Sequence, residues 1–295
     1  AVSRINTDST GDYNVTVGGD ARIGIGDQLS LDGWVAHSET PRRDRGSNAL
    51  SLLGTYTSRD WEVGLGTRRI DEDFNPEVGY LERPAFQYYT ARLLRHLRMP
   101  RSDWFREVRP HITFRQYDNL DGSPQSRLIH VDNHILLNNG SFFEAPGLNW
   151  VREAPSVPFE IAKGVVLPPT VYDWLEWTMN FNTDLSSPYS VSGKATVGGF
   201  YSGHRAGAIV SFTLRPNQDF NASLRVNYDR VRLLEGKFTR VLVGLRLAYA
   251  FTPRMYLQAL LQHPTQTHSL TANGRFGWLG PAGTGLFVVY NDGRE

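Results

Sequence analysis

The C-terminal third of the chain alternates apolar and polar residues for about ten residues at a time. Side chains of a strand point to opposite faces in turn, so such a segment has one apolar and one polar face. Strands of soluble sheets are usually about five or six residues long, whereas a tilted strand that crosses a bilayer needs about ten. The clearest segment has the apolar set Phe220, Ala222, Leu224, Val226 and Tyr228, separated by Asn221, Ser223, Arg225 and Asn227.

The composition is compatible with membrane strands and excludes several other classes. The chain has 295 residues, of which 40% are hydrophobic, and no apolar run reaches the length of a membrane helix. Cysteine is absent, which excludes disulfides and thiolate metal sites. The net charge of +1 gives no overall field that would attract nucleic acid. We see no linker that would divide the chain, so residues 1–295 are predicted to form a single domain.

Alternation and turn signals together predict about sixteen strands joined by short reversals. The predicted fold is therefore all-β, a transmembrane antiparallel up-and-down β-barrel. The predicted segments are 13–25, 28–38, 48–58, 60–70, 85–97, 105–117, 126–137, 140–152, 170–183, 190–201, 205–215, 219–230, 237–251, 254–263, 268–279 and 284–290.

Three connections are longer than the others, namely Glu39–Ser47, Asp71–Pro84 and Glu153–Pro169. The last two have the length and the turn-forming residues to fold into the barrel and fill it. Tryptophans near the ends of the predicted strands indicate an aromatic girdle at the membrane interfaces. This set comprises Trp61, Trp150, Trp174 and Trp278.

Several motifs of the chain resemble those of a known family. They include Asp73-Phe74-Asn75-Pro76-Glu77-Val78-Gly79-Tyr80 with Arg83, Pro158-Phe159-Glu160-Ile161, Tyr249-Ala250-Phe251-Thr252-Pro253 and Asn273-Gly274-Arg275-Phe276-Gly277-Trp278. The chain resembles, from about Tyr13 to Asn291, an uncharacterised bacterial outer-membrane β-barrel domain that commonly follows a carbohydrate-binding module of the family-9 type. The resemblance implies an outer-membrane location and transfers no catalytic residue.

The chain departs from that family at its start. It has neither the sugar-binding module nor the first barrel segments. The tight turns also follow the odd-numbered predicted strands, which is the reverse of the usual bacterial pattern if the first strand rises from the periplasm. Both observations predict that residues 1–295 are the C-terminal portion of a longer protein, with further barrel strands upstream. An unpaired edge is then expected on strand 13–25 or on strand 284–290.

The polar members of the alternation are the candidate lining of the barrel lumen. Arginine outnumbers the acids among them, and its guanidinium donates hydrogen bonds to carboxylate, phosphate and sugar oxygens. A second reading is that the charges form cross-strand ion pairs that stiffen the wall and fill the bore. The lumen candidates are Arg22, Arg109, Arg115, His130, Asp132, His134, Arg225, Arg240, Arg246 and Arg275.

His130, Asp132 and His134 share one face of a predicted strand. The two histidines are four residues apart, roughly 13 Å at the rise of a strand, which is too far for one ion to join them directly. The sequence therefore predicts a polar lumen stripe and no metal or cofactor. It contains no G-x-S-x-G elbow, and Ser211 and Thr213 have no histidine on their face of the strand, so no enzyme activity is predicted.

The sequence leaves three functions open. The first is a porin-like channel in the bacterial outer membrane that passes small polar or anionic solutes, including saccharides. The second is a structural scaffold within a larger envelope complex, with other envelope proteins as partners besides outer-membrane lipid. The third is a soluble all-β carbohydrate-binding module.

Overall fold

The computed structural model describes residues 2–5, 12–43, 47–77, 79–81, 83–265 and 269–294. They form twenty strands and one 3-10 helix, Pro281–Gly283. The strands are β1 (Val2–Ile5), β2 (Tyr13–Ile25), β3 (Leu29–Glu39), β4 (Asn48–Thr57), β5 (Trp61–Ile70), β6 (Phe86–Arg95), β7 (Leu97–Arg98), β8 (Phe105–Asn119), β9 (Pro124–Leu137), β10 (Phe142–Glu153), β11 (Phe159–Ala162), β12 (Val165–Leu167), β13 (Tyr172–Asn182), β14 (Tyr189–Phe200), β15 (Gly203–Leu214), β16 (Phe220–Arg232), β17 (Lys237–Thr252), β18 (Met255–Pro264), β19 (Leu270–Leu279) and β20 (Gly285–Arg294). In this part of the chain, no helix is long and apolar enough to cross a membrane.

Eighteen of the strands form one antiparallel sheet, and β11 and β12 form a separate hairpin. Each strand pairs with its neighbour in the chain, from β2 with β3 through to β19 with β20. The exceptions are the short β7, which continues the line of β6 along β8, and β10, which pairs with β13 across the hairpin. The predicted all-β, up-and-down antiparallel architecture is confirmed.

The sixteen predicted segments correspond to the sixteen strands of ten or more residues. The observed bounds differ from the predicted ones by two residues at most, except that β20 continues to Arg294. The sequence analysis missed β1, β7, β11 and β12. These strands have two to four residues, too few for alternation to be recognised.

Hydrogen bonds do not close the sheet into a ring within the described residues. β20 pairs only with β19, and β2 pairs with β3 and, over Tyr13–Thr16 alone, with β1. The expected unpaired edge is therefore present on β20 and on the remainder of β2. Side chains on both faces of these two edge strands are largely exposed.

The two faces of the sheet differ in chemistry, and the exposed face is the apolar one. In β13, Leu175, Trp177 and Met179 are 38%, 53% and 40% exposed. Thr178, which faces the other way, is buried, and Glu176 beside it is half-buried. We call the side that carries Thr178 the polar face and the opposite side the apolar face.

Both long connections that were predicted to fold inward lie against the polar face. In the first, Phe74 packs in a buried cluster with Ala49, Ile70 and Phe86 of β4, β5 and β6. The cluster covers this part of the polar face with apolar side chains. Residues 44–46 of the other long connection lie outside the described residues.

The second connection contains the β11–β12 hairpin. Leu167 of this hairpin is fully buried. The Arg240 guanidinium on β17 donates a hydrogen bond to the backbone oxygen of Ile161. The hairpin is thereby fixed over the polar face of a distant strand.

The turn between β13 and β14 is closed by an aspartate. Asp184 accepts hydrogen bonds from the hydroxyl and the backbone N–H of Ser186, at 2.7 and 2.9 Å. These bonds stabilise the ionised carboxylate and lower the pKa of Asp184 below its ordinary value. Such an Asx turn is a local device that reverses the chain between two strands.

Three of the four tryptophans predicted at strand ends lie on the apolar face. Trp61, Trp150 and Trp278 are 38%, 45% and 56% exposed. Trp174 is on the polar face instead, where its ring centroid lies 5.0 Å from that of Tyr201. The girdle assignment is wrong for Trp174, because one residue of offset along a strand moves a side chain to the other face.

At Gly198, β14 lies very close to β13, and a substitution there tests how close the two strands are. Its φ is +148°, and a Cβ on it would lie 2.6 Å from Glu176 Cα and from Leu175 O. We expect Gly198→Ala to lower the free energy of unfolding by about 1–3 kcal/mol, because the backbone of β13 must shift. Denaturant unfolding measures the change.

The matched control is Gly24→Ala, since a Cβ on Gly24 meets no atom within 4 Å. A loss at Gly24 as large as that at Gly198 would contradict the steric explanation.

Candidate functional site

All ten lumen candidates lie on the polar face of the sheet. The register fixes this assignment, because directly paired residues share a face. Arg22 is opposite Asp32, Arg109 is opposite His134, and Arg240 is opposite Asp229. The pairs that place the others are Arg115 with Thr90, His130 with Thr113 and with Asn149, Asp132 with His111, Arg225 with Gly244, Arg246 with Ser223, and Arg275 with Gln258.

Five of the polar side chains converge on one point at the middle of β8, β9 and β10. Asp132 is at the centre, with His111 Nδ1 at 2.5 Å from Oδ1 and His130 Nε2 at 2.9 Å from Oδ2. His134 Nε2 lies 3.7 Å from Asp132 Oδ1 and 3.8 Å from Glu144 Oε2. We call these five residues the histidine cluster.

The centre of the histidine cluster is closed to solvent. The side chain of Asp132 is 0% exposed and that of His111 is 6% exposed. His111 Nδ1 and Asp132 Oδ1 are close together, but neither atom is in hydrogen-bond geometry with any partner in the described structure. A buried carboxylate oxygen without a hydrogen bond is rare, because its desolvation is costly.

Two amide side chains hold the outer members of the histidine cluster. Asn149 on β10 lies 2.5 Å from His130 Nδ1 through its Oδ1 and donates from Nδ2 to Glu176 at 3.0 Å. Asn180 on β13 donates to Glu144 Oε1 at 2.8 Å. The positions of His130 and Glu144 are therefore fixed from the neighbouring strands.

Within the described residues, no set of potential metal ligands contains both His130 and His134, but strand pairing brings each of them close to ligands on neighbouring strands. His130 and His134 are far apart along β9, but both turn towards Asp132 between them. His111 from β8 and Glu144 from β10 complete two sets of three potential metal ligands, each with its atoms within 4.8 Å of one another. The sets are His111, His130 and Asp132, and Asp132, His134 and Glu144.

The sequence analysis did not connect His111, Glu144, Asn149 or Asn180 with His130, Asp132 and His134. Glu144 is opposite His134 across the reversal at 138–141. The length of that turn sets the register, and it was the one sequence feature that could have predicted this pair. His111 is opposite Asp132 across the turn at 120–123. In both cases the strand register, and not the spacing in the chain, brings the groups together.

The histidine cluster opens on a cavity of about 370 Å³ on the polar face. Cationic side chains of β6, β8 and β14 also line this cavity, namely Arg92, Arg115 and Lys194. The cavity thus combines imidazole and carboxylate groups on one side with fixed positive charge around them. Such a wall attracts anions.

A second ionic network lies beside the histidine cluster and centres on Glu107. This carboxylate contacts His96 Nδ1 at 2.6 Å and accepts hydrogen bonds from Arg109 at 2.8 and 2.6 Å. His96 Nε2 lies 3.0 Å from Glu62 on β5. The network connects β5 to β8 on the polar face. Cross-strand ion pairs of this kind are what the second interpretation of the polar residues predicts.

Beyond β15, the polar face carries several exposed arginines. Arg225 donates to Asn227 at 3.1 Å, and Arg275 lies over the Phe287 ring at 4.9 Å. Arg225, Arg246 and Arg275 are all exposed. None of these three forms an ion pair with a carboxylate in the described part of the chain.

A comparison of the chain with protein-family models, with curated proteins and with solved structures found no match. The outer-membrane family resembled by its motifs therefore stays a prediction.

Replacing Glu107 tests how much the second ionic network contributes to the stability of the sheet. Its side chain is 8% exposed. Glu107→Ala leaves His96 and Arg109 without this charged acceptor, and we expect the free energy of unfolding to fall by about 2–3 kcal/mol. Equilibrium unfolding in denaturant measures the loss.

Asp173→Ala is the control, because the Asp173–Arg152 pair lies on the apolar face and Asp173 is 53% exposed. An exposed pair contributes about 0–1 kcal/mol. Equal losses in the two variants would show that the Glu107 network adds nothing to stability.

Proposed function

We propose that the sheet forms the wall of a β-barrel in a bacterial outer membrane, and that its polar face lines a passage for small polar or anionic solutes. The single observation that carries the proposal is the exposure of apolar side chains on one whole face of the sheet. Apolar side chains are exposed along the whole sheet, from Val17 and Val35 to Val288, while several polar side chains on the other face of β8, β9 and β13, such as Asp132 and Thr178, are buried. A monomeric soluble protein rarely exposes a contiguous apolar patch beyond a few hundred Å².

The apolar face is continuous across the paired strands. Trp177 is opposite Val197, Val226 is opposite Val243, and Leu257 is opposite Phe276. Lipid chains are the solvent in which such a face is stable, because no water is ordered against it. The length of the strands, 10–16 residues for the sixteen long ones, also suits a tilted crossing.

The proposal sets a condition on the two edges of the sheet. Lipid offers no hydrogen bonds to exposed backbone groups, so membrane strands occur in closed barrels. In the bilayer, the edges of β20 and of residues 17–25 must therefore pair, either with each other or with further strands. Such pairing would use the backbone N–H and C=O groups on the outer side of each edge strand.

An anionic or polyhydroxylated solute suits the polar face from β16 to β19. Exposed guanidinium groups there face the space above the sheet without a carboxylate partner in the described structure. Because guanidinium binds oxygen anions through paired donors, the passage is expected to prefer anions over cations. The prediction that saccharides pass is compatible with the same donors.

The two connections folded over the polar face favour a second candidate, the scaffold in an envelope complex. Phe74 and Leu167 are buried there, so both connections narrow the space above the sheet. A scaffold needs no open passage, whereas a channel does. Ion conductance distinguishes the two functions.

The membrane location is tested at the middle of β16, where consecutive residues face opposite ways. Val226 is on the apolar face and Asn227 on the polar face, where it lines a cavity with Arg240. In lipid vesicles we expect Val226→Arg to lower the free energy of unfolding by about 2–4 kcal/mol, because an arginine near the midplane must be desolvated. Asn227→Arg is expected to cost much less.

In a water-soluble sheet both positions would tolerate arginine within about 0.5 kcal/mol. Equal, small losses at Val226 and Asn227 would therefore exclude the bilayer as the medium around the apolar face.

Channel function is tested in planar bilayers with a salt gradient. We expect a small conductance with a reversal potential on the anion side. Replacing Arg246 and Arg275 with serine should reduce this anion preference, because two exposed charges of the passage are removed. Arg152→Ser, on the apolar face, should leave it unchanged.

Absence of any conductance from a folded, inserted protein would favour the scaffold instead. If the anion preference is unchanged after the double replacement, Arg246 and Arg275 are not its source.

A further inference from the structure

We propose that the histidine cluster binds a divalent transition-metal ion, with His111, His130 and Asp132 as its protein ligands. The proposal does not depend on whether the sheet lies in a membrane. It rests on the arrangement of hydrogen-bond donors and acceptors around Asp132.

The orientation of Asn149 fixes the proton on His130. Asn149 Nδ2 donates to Glu176, so its Oδ1 is turned to His130 Nδ1. An amide oxygen only accepts hydrogen bonds, and Nδ1 must therefore carry the proton. In the neutral imidazole, Nε2 then presents a lone pair.

That lone pair faces another acceptor. His130 Nε2 lies 2.9 Å from Asp132 Oδ2, and an ionised carboxylate has no proton to donate. Two acceptors at this distance repel unless a positive charge lies between or beside them. The charge is supplied either by a second proton on His130 or by a metal ion.

His111 lies at the other carboxylate oxygen of Asp132. Its Nδ1 lies 2.5 Å from Asp132 Oδ1, and neither atom is in hydrogen-bond geometry with any described partner. The two side chains are 6% and 0% exposed, so water does not surround them. A buried nitrogen and oxygen that lie this close without hydrogen-bond geometry are suited to a shared cation.

The donor set and its dimensions suit zinc or a similar ion. Imidazole and carboxylate ligands bind Zn²⁺ at about 2.0–2.2 Å, which puts two ligand atoms of a tetrahedral site about 3.3 Å apart. The ligand atoms of His111, His130 and Asp132 all lie within 4.8 Å of one another, so small side-chain rotations bring them to that spacing. Two imidazoles select transition metals over Mg²⁺ and Ca²⁺, which prefer oxygen ligands.

The surroundings have the features of an outer ligand shell. A metal-bound histidine usually donates its second N–H to an oxygen, as His130 does to Asn149. His134 and Glu144 lie on the far side of Asp132, with His134 Nε2 at 3.7 Å from Asp132 Oδ1. Three protein ligands leave a position open to the cavity, where water or an anion near the cationic wall completes the coordination.

The test begins with the folded wild-type chain, stripped of metal by a chelator and titrated with Zn²⁺ by calorimetry. We expect one saturable site per chain. Titration with Co²⁺ should give the intense visible absorption of a tetrahedral site with nitrogen ligands. Absence of saturable Zn²⁺ binding to the folded chain would overturn the proposal and would indicate that a second proton on His130 supplies the charge.

Variants then assign the ligands. Asp132→Asn should weaken Zn²⁺ binding at least 100-fold, and Asn149→Leu should weaken it by about 10–100-fold because His130 loses its orienting acceptor. His204→Asn is the matched control, since His204 is exposed on β15 and lies on the apolar face. It should bind as the wild type does.

His111→Gln is the second ligand variant, and it applies if Asp132→Asn does not fold. Folding is checked by circular dichroism before each titration. Wild-type affinity in a folded Asp132→Asn or His111→Gln variant would overturn the assignment of the ligands.

Discussion

The two-residue period of the extended chain is the constraint on which the rest of this structure depends. A strand makes its hydrogen bonds sideways, to its neighbours, and therefore has only two directions left for side chains. When the alternation persists for ten residues or more on sixteen successive strands, the sheet acquires two chemically different faces over its whole area. The apolar face has no partner within the described chain, which is why the medium around it becomes the central question about function.

The same constraint makes the polar face a place where charge accumulates. Polar groups that would be scattered over the surface of a soluble protein are aligned here in rows across neighbouring strands. Rows of this kind produce both ion-pair networks, such as the one around Glu107, and stretches of one sign, such as the arginines of β16 to β19. The first stabilise the wall. The second give this face a local positive charge.

The histidine cluster exists because the register of β8, β9 and β10 brings residues that are distant in the chain next to one another. Asp132 would be an isolated acid on β9 without its neighbours, and His111 lies twenty-one positions earlier in the chain. The pairing of β8 with β9 places the two directly opposite each other, and the pairing of β9 with β10 adds Glu144 and Asn149. Three strands thus contribute to one buried centre, which no spacing within a single strand suggests.

The sequence by itself determined the fold class, the positions of the long strands and the face on which each lumen candidate lies. These properties are local, because alternation and turn residues are read from neighbouring positions. Tertiary structure alone decided which polar residues meet, since this depends on register across turns and on bulges such as the one between Glu144 and Leu148. It also decided that Trp174 faces the polar side, because the face of a side chain depends on pairing between strands as well as on the order of residues within one.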